Sequence, residues 1–591
     1  MSDRKAYLRA AEALRDNTGQ WAAYESTGNC VVLAGPGSGK TKTLVTKMAR
    51  MLAEDVAEPR GIACITYNNE CARELESRLA DLGVLPGKRV FIGTVHSFSL
   101  TQIILPYAQV AKMGLPAGFG IALGNERTEA LAVAVSDTDY AGDTQDLASE
   151  VGSYRRSYLI RDGVDWQTKD PELAALAEAY EAELRRRGLI DFDDMPLLAY
   201  RALRAHVWLR RSLLAKFPIL VVDEYQDLGV ALHRMVKGLC FQTGMRLFAV
   251  GDPDQSIYGF NGARPERLIE LSNVQNVETV RLTLNYRSGK NIVAAAAVAL
   301  GEDRGYRAIP SSSQGLVFIQ PLKGNFDAQA QHLFGKLLPE VMARQAELRH
   351  GDIAVIYPAA WIGDAVARAA QQAGIPLVRT DAKALYPRAS RLMQWLELCA
   401  QWGSGGWRSS RIRFSRLAAE GRGLFAQALP GDDAATRFNR DLITCLSALR
   451  EGGMPLHDWL RRMEDQVMGA CKEACTGLRE DFETLATFQA RTAPDGDCQQ
   501  MTLRDMAGDG GFLNRMTLST LHSAKGREFS VVFLFGLNEG VLPRGNVSER
   551  GLKEARRLFY VGLTRAKREV HLMHSAGEAS RFVTEIERHL Q

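Results

Sequence analysis

Residues 30–41 read CVVLAGPGSGKT: an apolar run, a loop of small residues, then Lys-Thr. The stretch after it, TKTLVTKMARML (41–52), carries its apolar residues at helical spacing. A strand that turns through glycines into a helix aims backbone N–H groups at the place where phosphate oxygens are favoured, the helix N-terminus. In that arrangement Lys40 reaches the β- and γ-phosphates and the Thr41 hydroxyl ligates Mg2+. Ala34, Gly35, Pro36, Gly37, Ser38 and Gly39 are the loop that would surround the phosphates. Ala34 departs from the strict pattern, which has glycine five residues before Gly39. An ordinary glycine-rich turn is the plainer alternative, and the Lys-Thr pair after an apolar strand argues for the nucleotide.

A phosphate loop works with an acid that holds the metal, placed at the tip of a neighbouring strand. FPILVVDEYQDL (217–228) supplies one, with Asp223 suited to the metal and Glu224 to the base that orients the attacking water. The apolar runs in IACITY (62–67), ILVVDE (219–224) and RLFAVGD (246–252), separated by helical stretches, predict a parallel sheet covered by helices. GDPDQSIYGFNGARP (251–265) follows the last of them. A turn accounts for its Gly and Pro residues but not for Gln255, Tyr258 and Phe260.

The whole chain narrows the classes. At 591 residues it is too long for one core. Its 46% apolar and 24% charged residues are those of a folded protein. No apolar run is long enough for a membrane span, and the start MSDRKAYLRAAEALRD lacks a signal-peptide core, so a cytoplasmic protein without membrane partner is expected. The nine cysteines are scattered, and only Cys471 and Cys475 are close, which favours buried free thiols over a zinc site. A net charge of +4 gives no global signal for nucleic acid, so polyanion binding must be local.

At this point the order of segments resembles the superfamily 1 helicases of the UvrD, Rep and PcrA type, from Gln20 to Arg568. The resemblance is carried by GQWAAYESTGN, the phosphate loop, ITYNNECARELESRL, GTVHSF, VVDEYQDL, GDPDQSIYGF, LTLNYRS, LSTLHSAKGREFSVVFLFGLNEGVLP and EARRLFYVGLTRAKREV. It implies ATP and Mg2+ as cofactors and single-stranded DNA and its junctions with duplex as partner. Carried over residue by residue, it assigns Gln20 to the adenine, Tyr286 to stacking on it, Glu528 to the ribose, Gln255 to sensing the γ-phosphate, and Arg287 and Arg565 to the γ-phosphoryl charge. It assigns Thr66, Tyr67, Asn69, Thr94, His96, Ser97, Tyr258, Phe260, Thr520, His522 and Lys525 to DNA. Relatives carry tryptophan and arginine where Phe260 and Asn261 stand; phenylalanine keeps a stacking face, asparagine loses a charge.

The architecture implied is α/β: two RecA-like P-loop motor domains, each with a mainly helical insertion. The first motor domain is expected at 1–100 and 192–280 with its insertion at 101–191, and the second at 281–380 and 515–591 with a short insertion at 381–514. YRRSY (154–158) interleaves aromatics and arginines, which suits a single strand or, more simply, a solvated helix face. SGGWRSSRIRFSR (404–416) suits duplex or a protein partner. Two functional readings follow. One is an ATP-dependent 3′-to-5′ translocase and helicase, its direction taken wholly from the resemblance. The other is a motor subunit working with a nuclease or another protein in recombination or anti-phage defence, favoured by the short second insertion and by a chain that ends soon after Arg565. A non-catalytic nucleic-acid-binding module would require loss of Lys40, Thr41, Asp223, Glu224, Gln255, Arg287 or Arg565, and all seven are present.

Overall fold

The computed structural model describes residues 4–84, 89–140, 142, 146–161, 163–259, 262–387, 390–408, 413–507 and 515–590. The chain divides into two compact units, Met1–Gln314 with Ser548–Tyr560, and Gly315–Val547 with Val561–Gln591.

The first unit is built on β1 (Asn29–Ala34), β2 (Ile62–Thr66), β3 (Val90–Thr94), β4 (Ile219–Val222), β5 (Arg246–Gly251) and β6 (Val277–Leu282). They lie in the order β3-β2-β4-β5-β1-β6 with every pairing parallel. Successive residues of β1 serve opposite faces. Val31 and Leu33 join a core with Leu220, Val222 and Leu247, whereas Cys30 and Val32 join one with Val221 and Phe248. A sheet covered on both faces explains why these strands read as unbroken apolar runs rather than alternating ones. The pairing Leu33↔Gly251 brings the ends of β1 and β5 level, so the phosphate loop and the GDPDQ loop leave the sheet side by side.

The helices Gly124–Thr138, Leu147–Ser157 and Pro171–Arg186 pack around Ala130, Val151, Trp166, Leu176 and Leu184. The first two residues of YRRSY belong to this interior, against both readings of them, whereas Ser157 is exposed and Arg156 and Tyr158 are half-buried. Tyr154 is buried, and Arg155, 1% exposed, donates to Glu181, Asp191 and Asp194. The aromatic–arginine pattern misled because a buried arginine needs carboxylates brought from elsewhere in the chain, and local sequence does not show them.

The second unit carries β7 (Leu316–Leu322), β8 (Ile353–Tyr357), β9 (Leu377–Arg379), β10 (Met516–Thr520), β11 (Phe529–Leu534) and β12 (Ala566–Ser575). Their order is β7-β12-β11-β8-β10-β9, again with all pairings parallel. Between β9 and β10 stands a helical insertion with its own core, including Trp395, Trp402, Phe438, Trp459 and Phe482. The two α/β units with helical insertions match the expected fold class. β6 completes the first sheet, and the pair formed by Leu284–Asn285 and Arg307–Ala308 lies with it in the first compact unit. All nine cysteines are free thiols, seven of them buried.

Candidate nucleotide site and DNA-facing segments

The phosphate loop is shaped by two glycines and held by three side chains or amides from outside it. Gly37 and Gly39 have φ of +67° and +80°, where an L side chain is strained. A Cβ on Gly39 would also lie 2.5 Å from Gln20 Nε2, and one on Gly37 2.7 Å from Asn285 Oδ1. Gln20 Nε2 donates to the Ser38 carbonyl at 2.8 Å, Asn285 Nδ2 to the Pro36 carbonyl at 2.9 Å, and the Tyr286 amide to the Gly37 carbonyl at 2.8 Å. With the loop's carbonyls occupied on this side, the start of the helix Lys40–Arg50 keeps the N-terminal polarity that an anion needs.

Acids converge on Lys40 from two strand ends. Its Nζ lies 3.2 Å from Glu224 Oε1. Burial opposes the lysine charge, but Glu224, Asp252 and Asp223 outweigh it and raise its pKa. Burial, reinforced by Glu224, pushes the Asp223 carboxyl up to about 7 against the pull of Lys40. Asp252 is pushed up to about 7 by burial and by Asp254, again against Lys40. Glu224 holds φ +48°, a left-handed backbone rare outside glycine and typical of functional turns. Gln226 bridges the two acid loops: its Nε2 donates to Glu224, and its Oε1 accepts from the Asp252 amide at 2.9 Å. Gln255 Nε2 donates to Asp252 Oδ2 at 2.8 Å. Among the described residues no group of three or more His, Cys, Asp or Glu side chains is gathered to hold a metal unaided. A site with more carboxylates than cations, next to a phosphate cradle, suits a divalent ion whose remaining ligands are phosphate and water.

The residues expected at the adenine are also tied together. Asn17 caps the helix Thr18–Glu25 through the Gln20 amide at 3.0 Å, and its Nδ2 donates to the Tyr286 hydroxyl at 2.9 Å. Tyr286 is 44% exposed. The Arg287 amide donates to Asn285 Oδ1 at 2.8 Å, which sets the turn that carries its side chain. In the second unit Arg565 is 2% exposed, with Nε on the Val561 carbonyl and Nη1 on the Arg527 carbonyl. Glu528 is exposed and pairs with Lys567 at 3.2 Å.

The residues assigned to DNA fall into three settings. Tyr67 and Tyr258 stack on each other, with centroids 4.7 Å apart and planes 20° from parallel, so β2's exit and the GDPDQ loop meet through these rings. Thr94 accepts from the Ser97 amide and Thr520 from the Ser523 amide, both at 3.2 Å, so these hydroxyls close turns at strand ends. Thr66 is fully buried, Asn69 is exposed, and His96 packs edge-on to Phe192. Burial lowers the pKa of His96, and that of His522 with help from Arg544 and Lys525. Phe260 and its neighbour Asn261 lie outside the described residues.

Comparison with known proteins now decides the family. Residues 16–275 match the UvrD/REP helicase N-terminal domain, and residues 483–576 the UvrD-like helicase C-terminal domain. The chain is 28% identical to the ATP-dependent DNA helicase Rep of Escherichia coli (strain K12), covering 94% of this chain and 90% of the relative. It is 26% identical to the ATP-dependent DNA helicase PcrA of Leuconostoc citreum, over 96% of this chain and 84% of the relative. The PcrA of Bacillus subtilis (strain 168) is 24% identical, over 96% and 85%. The chain belongs to the UvrD/Rep/PcrA-like helicases.

For this UvrD/Rep/PcrA-like helicase, sequence reading missed Asn17, Gln226, Asp252 and Asn285. Asn17 carried a signal: an asparagine three residues before Gln20 is a helix cap. Gln226, beside the acids at a strand tip, carried a weaker one. Asp252 and Asn285 also bond near neighbours, but what brings them to the site is a partner far away in the chain, Gln226 for Asp252 and Pro36 for Asn285. Among the described residues no helix of this helicase is long and apolar enough to cross a membrane.

Proposed function

We propose that this helicase is an ATP-driven motor that moves 3′ to 5′ on single-stranded DNA and separates duplex at the junction, with Mg2+ as the metal of its nucleotide. The observation that carries the reading is the convergence of half-buried Lys40 and Glu224 with buried Asp223, Asp252 and Gln255 at the mouth of the phosphate loop. Thr41 and Asp223 would hold the metal, which when bound neutralises phosphate charge and offsets the excess of carboxylates. Lys40 presents its charge to the β- and γ-phosphates. Glu224, steered by Gln226, orients water, and Gln255 senses the γ-phosphate. Arg287 and Arg565 stabilise charge developing on the γ-phosphoryl group, Arg565 after exchanging its carbonyl partners. Gln20, Tyr286 and Glu528 bind the nucleoside. Tyr67 and Tyr258 supply aromatic faces to the strand, each base stacked on such a ring gaining about 1–3 kcal/mol. Asn69, Thr94, His96, Ser97, Thr520, His522 and Lys525 line its path.

The test is steady-state ATP hydrolysis with and without single-stranded DNA, on wild type and Lys40→Ala. DNA should stimulate the wild type and the variant should be inactive; hydrolysis indifferent to DNA would sink the motor. Unwinding of 3′-tailed and 5′-tailed duplexes then reads direction, and preference for the 5′ tail would reverse it.

A further inference from the structure

We propose that Arg304 and Tyr306 are positioning residues that tie the Gln255 loop to the phosphate loop, so that DNA-driven movement of one is felt by the other; this rests on the motor reading above. Asp254, beside Gln255, is 2% exposed. Its carboxylate receives Arg304 in a two-pronged bond, Nε on Oδ2 and Nη2 on Oδ1, each 3.1 Å. The Tyr306 hydroxyl reaches the same Oδ2 at 3.5 Å. From Asp254 the connection continues inward: its amide donates to Asp252 Oδ1 at 3.1 Å, and Asp252 Oδ2 accepts from Gln255.

The same short segment grips the phosphate loop from its other end. The Tyr306 ring lies so close to Gly35 that a Cβ there would sit 2.5 Å from Tyr306 Cε1. Arg307–Ala308 then pairs with Leu284–Asn285, and the Ile309 amide donates to the Asn285 carbonyl at 3.1 Å. Asn285 is the residue that holds Pro36 and leads into Tyr286 and Arg287. Residues 304–309 therefore join three segments of the nucleotide site that are distant in sequence, and an arginine fork fixes the orientation of Asp254 as a point charge does not.

The readout is DNA-stimulated against basal turnover, with KM for ATP and Tm, in wild type, Arg304→Ala, Arg304→Lys and Tyr306→Phe. Losing a hydrogen bond to a charged group costs enough that stimulated turnover of Arg304→Ala should fall on the order of tenfold. Basal turnover, KM and Tm should change much less. Arg304→Lys should recover part of the loss, and Tyr306→Phe, which keeps the ring on Gly35, should stay near wild type. In a double-mutant cycle Asp254→Asn with Arg304→Ala should be no worse than the poorer single variant. Wild-type stimulation in Arg304→Ala overturns the proposal, as does an equal fall in basal and stimulated turnover with a lowered Tm. Should Arg304→Ala not fold, Arg304→Lys reads the same ratio. If wild type itself lacks Lys40-dependent, DNA-stimulated hydrolysis, it is the motor reading that fails.

Discussion

Two places in the first unit set a cation among three carboxylates, Arg155 fully buried and Lys40 half-buried, and they are in opposite electrostatic states. Around Arg155 every oxygen has work inside the protein. Glu181 accepts Nε at 2.8 Å, Asp191 accepts Nη1 at 2.6 Å, and Asp194 accepts Nη2 at 2.7 Å as well as Arg185. Asp191 and Asp194 also accept each other's backbone amides. Burial opposes the charge on Asp191 and Glu181, but Arg155 outweighs it and both pKa values are lowered. Only Asp194 is raised, by burial and by Asp191 against Arg155. Around Lys40 the compact ammonium meets one oxygen of Glu224, and both Asp223 and Asp252 are pushed up to about 7. The first cluster is complete and belongs to the architecture. The second is short of positive charge, which is the state of a site that functions with something bound.

The comparison is open to breakage, beginning with the largest effect. Glu224→Gln should lower DNA-stimulated turnover by about 10²–10⁴-fold, the usual contribution of a general base, while ATP still binds. Near-normal turnover with tight nucleotide binding would remove Glu224 from that role. Next, Arg155→Met should destabilise the fold by about 3–5 kcal/mol, because three buried carboxylates lose their cation. Chemical denaturation reads it, and a change below ~1 kcal/mol would mean that the cluster is not the closed network described.

A smaller effect has the opposite sign at the two sites. Asp223→Asn should leave Tm at pH 8 equal to or above that of nucleotide-free wild type, whereas Asp191→Asn should lower it. The pH dependence follows. Asp223 keeps its proton to about pH 7 when folded, but only to about pH 4 in an unfolded chain. Between these values the folded state binds more protons, so stability falls as pH rises, and Asp223→Asn should flatten that fall. Asp191 is lowered, so its contribution is present above the ordinary carboxylate pKa and is lost as pH falls through its folded value. Smallest of all, Arg156→Ala should cost less than ~1 kcal/mol, since its pair with Asp193 is a third exposed on the arginine side. A larger loss would make Arg156 part of the closed network.

DFDDM and VVDEYQD look alike as strings: acids beside apolar residues at the edge of an element. Asp223 and Glu224 could be singled out because the phosphate loop, the apolar strand before them and the order of the remaining segments all lie in the sequence. The expectations for Lys40, Thr41, Gln20 and Tyr286 rest on the same features of the sequence. The fold class was legible too, since strands buried on both faces leave continuous apolar runs that periodicity and spacing detect. The paired strands Leu284–Asn285 and Arg307–Ala308, two residues each, are too short for any periodicity to register.

By itself, then, the sequence determined the α/β fold class and the family, and it singled out the loop and acids proposed for the nucleotide. Tertiary structure alone decided which buried charges are satisfied. It placed Arg155 among carboxylates 26 to 39 residues away and Arg304 on Asp254, 50 residues away. It joined Gln226 to Asp252 and Asn285 to Pro36, 249 residues apart. Local pattern reflects which face of an element is dry, because that depends on neighbours along the chain. Whether a buried charge is paired depends on partners that only folding brings within hydrogen-bond reach.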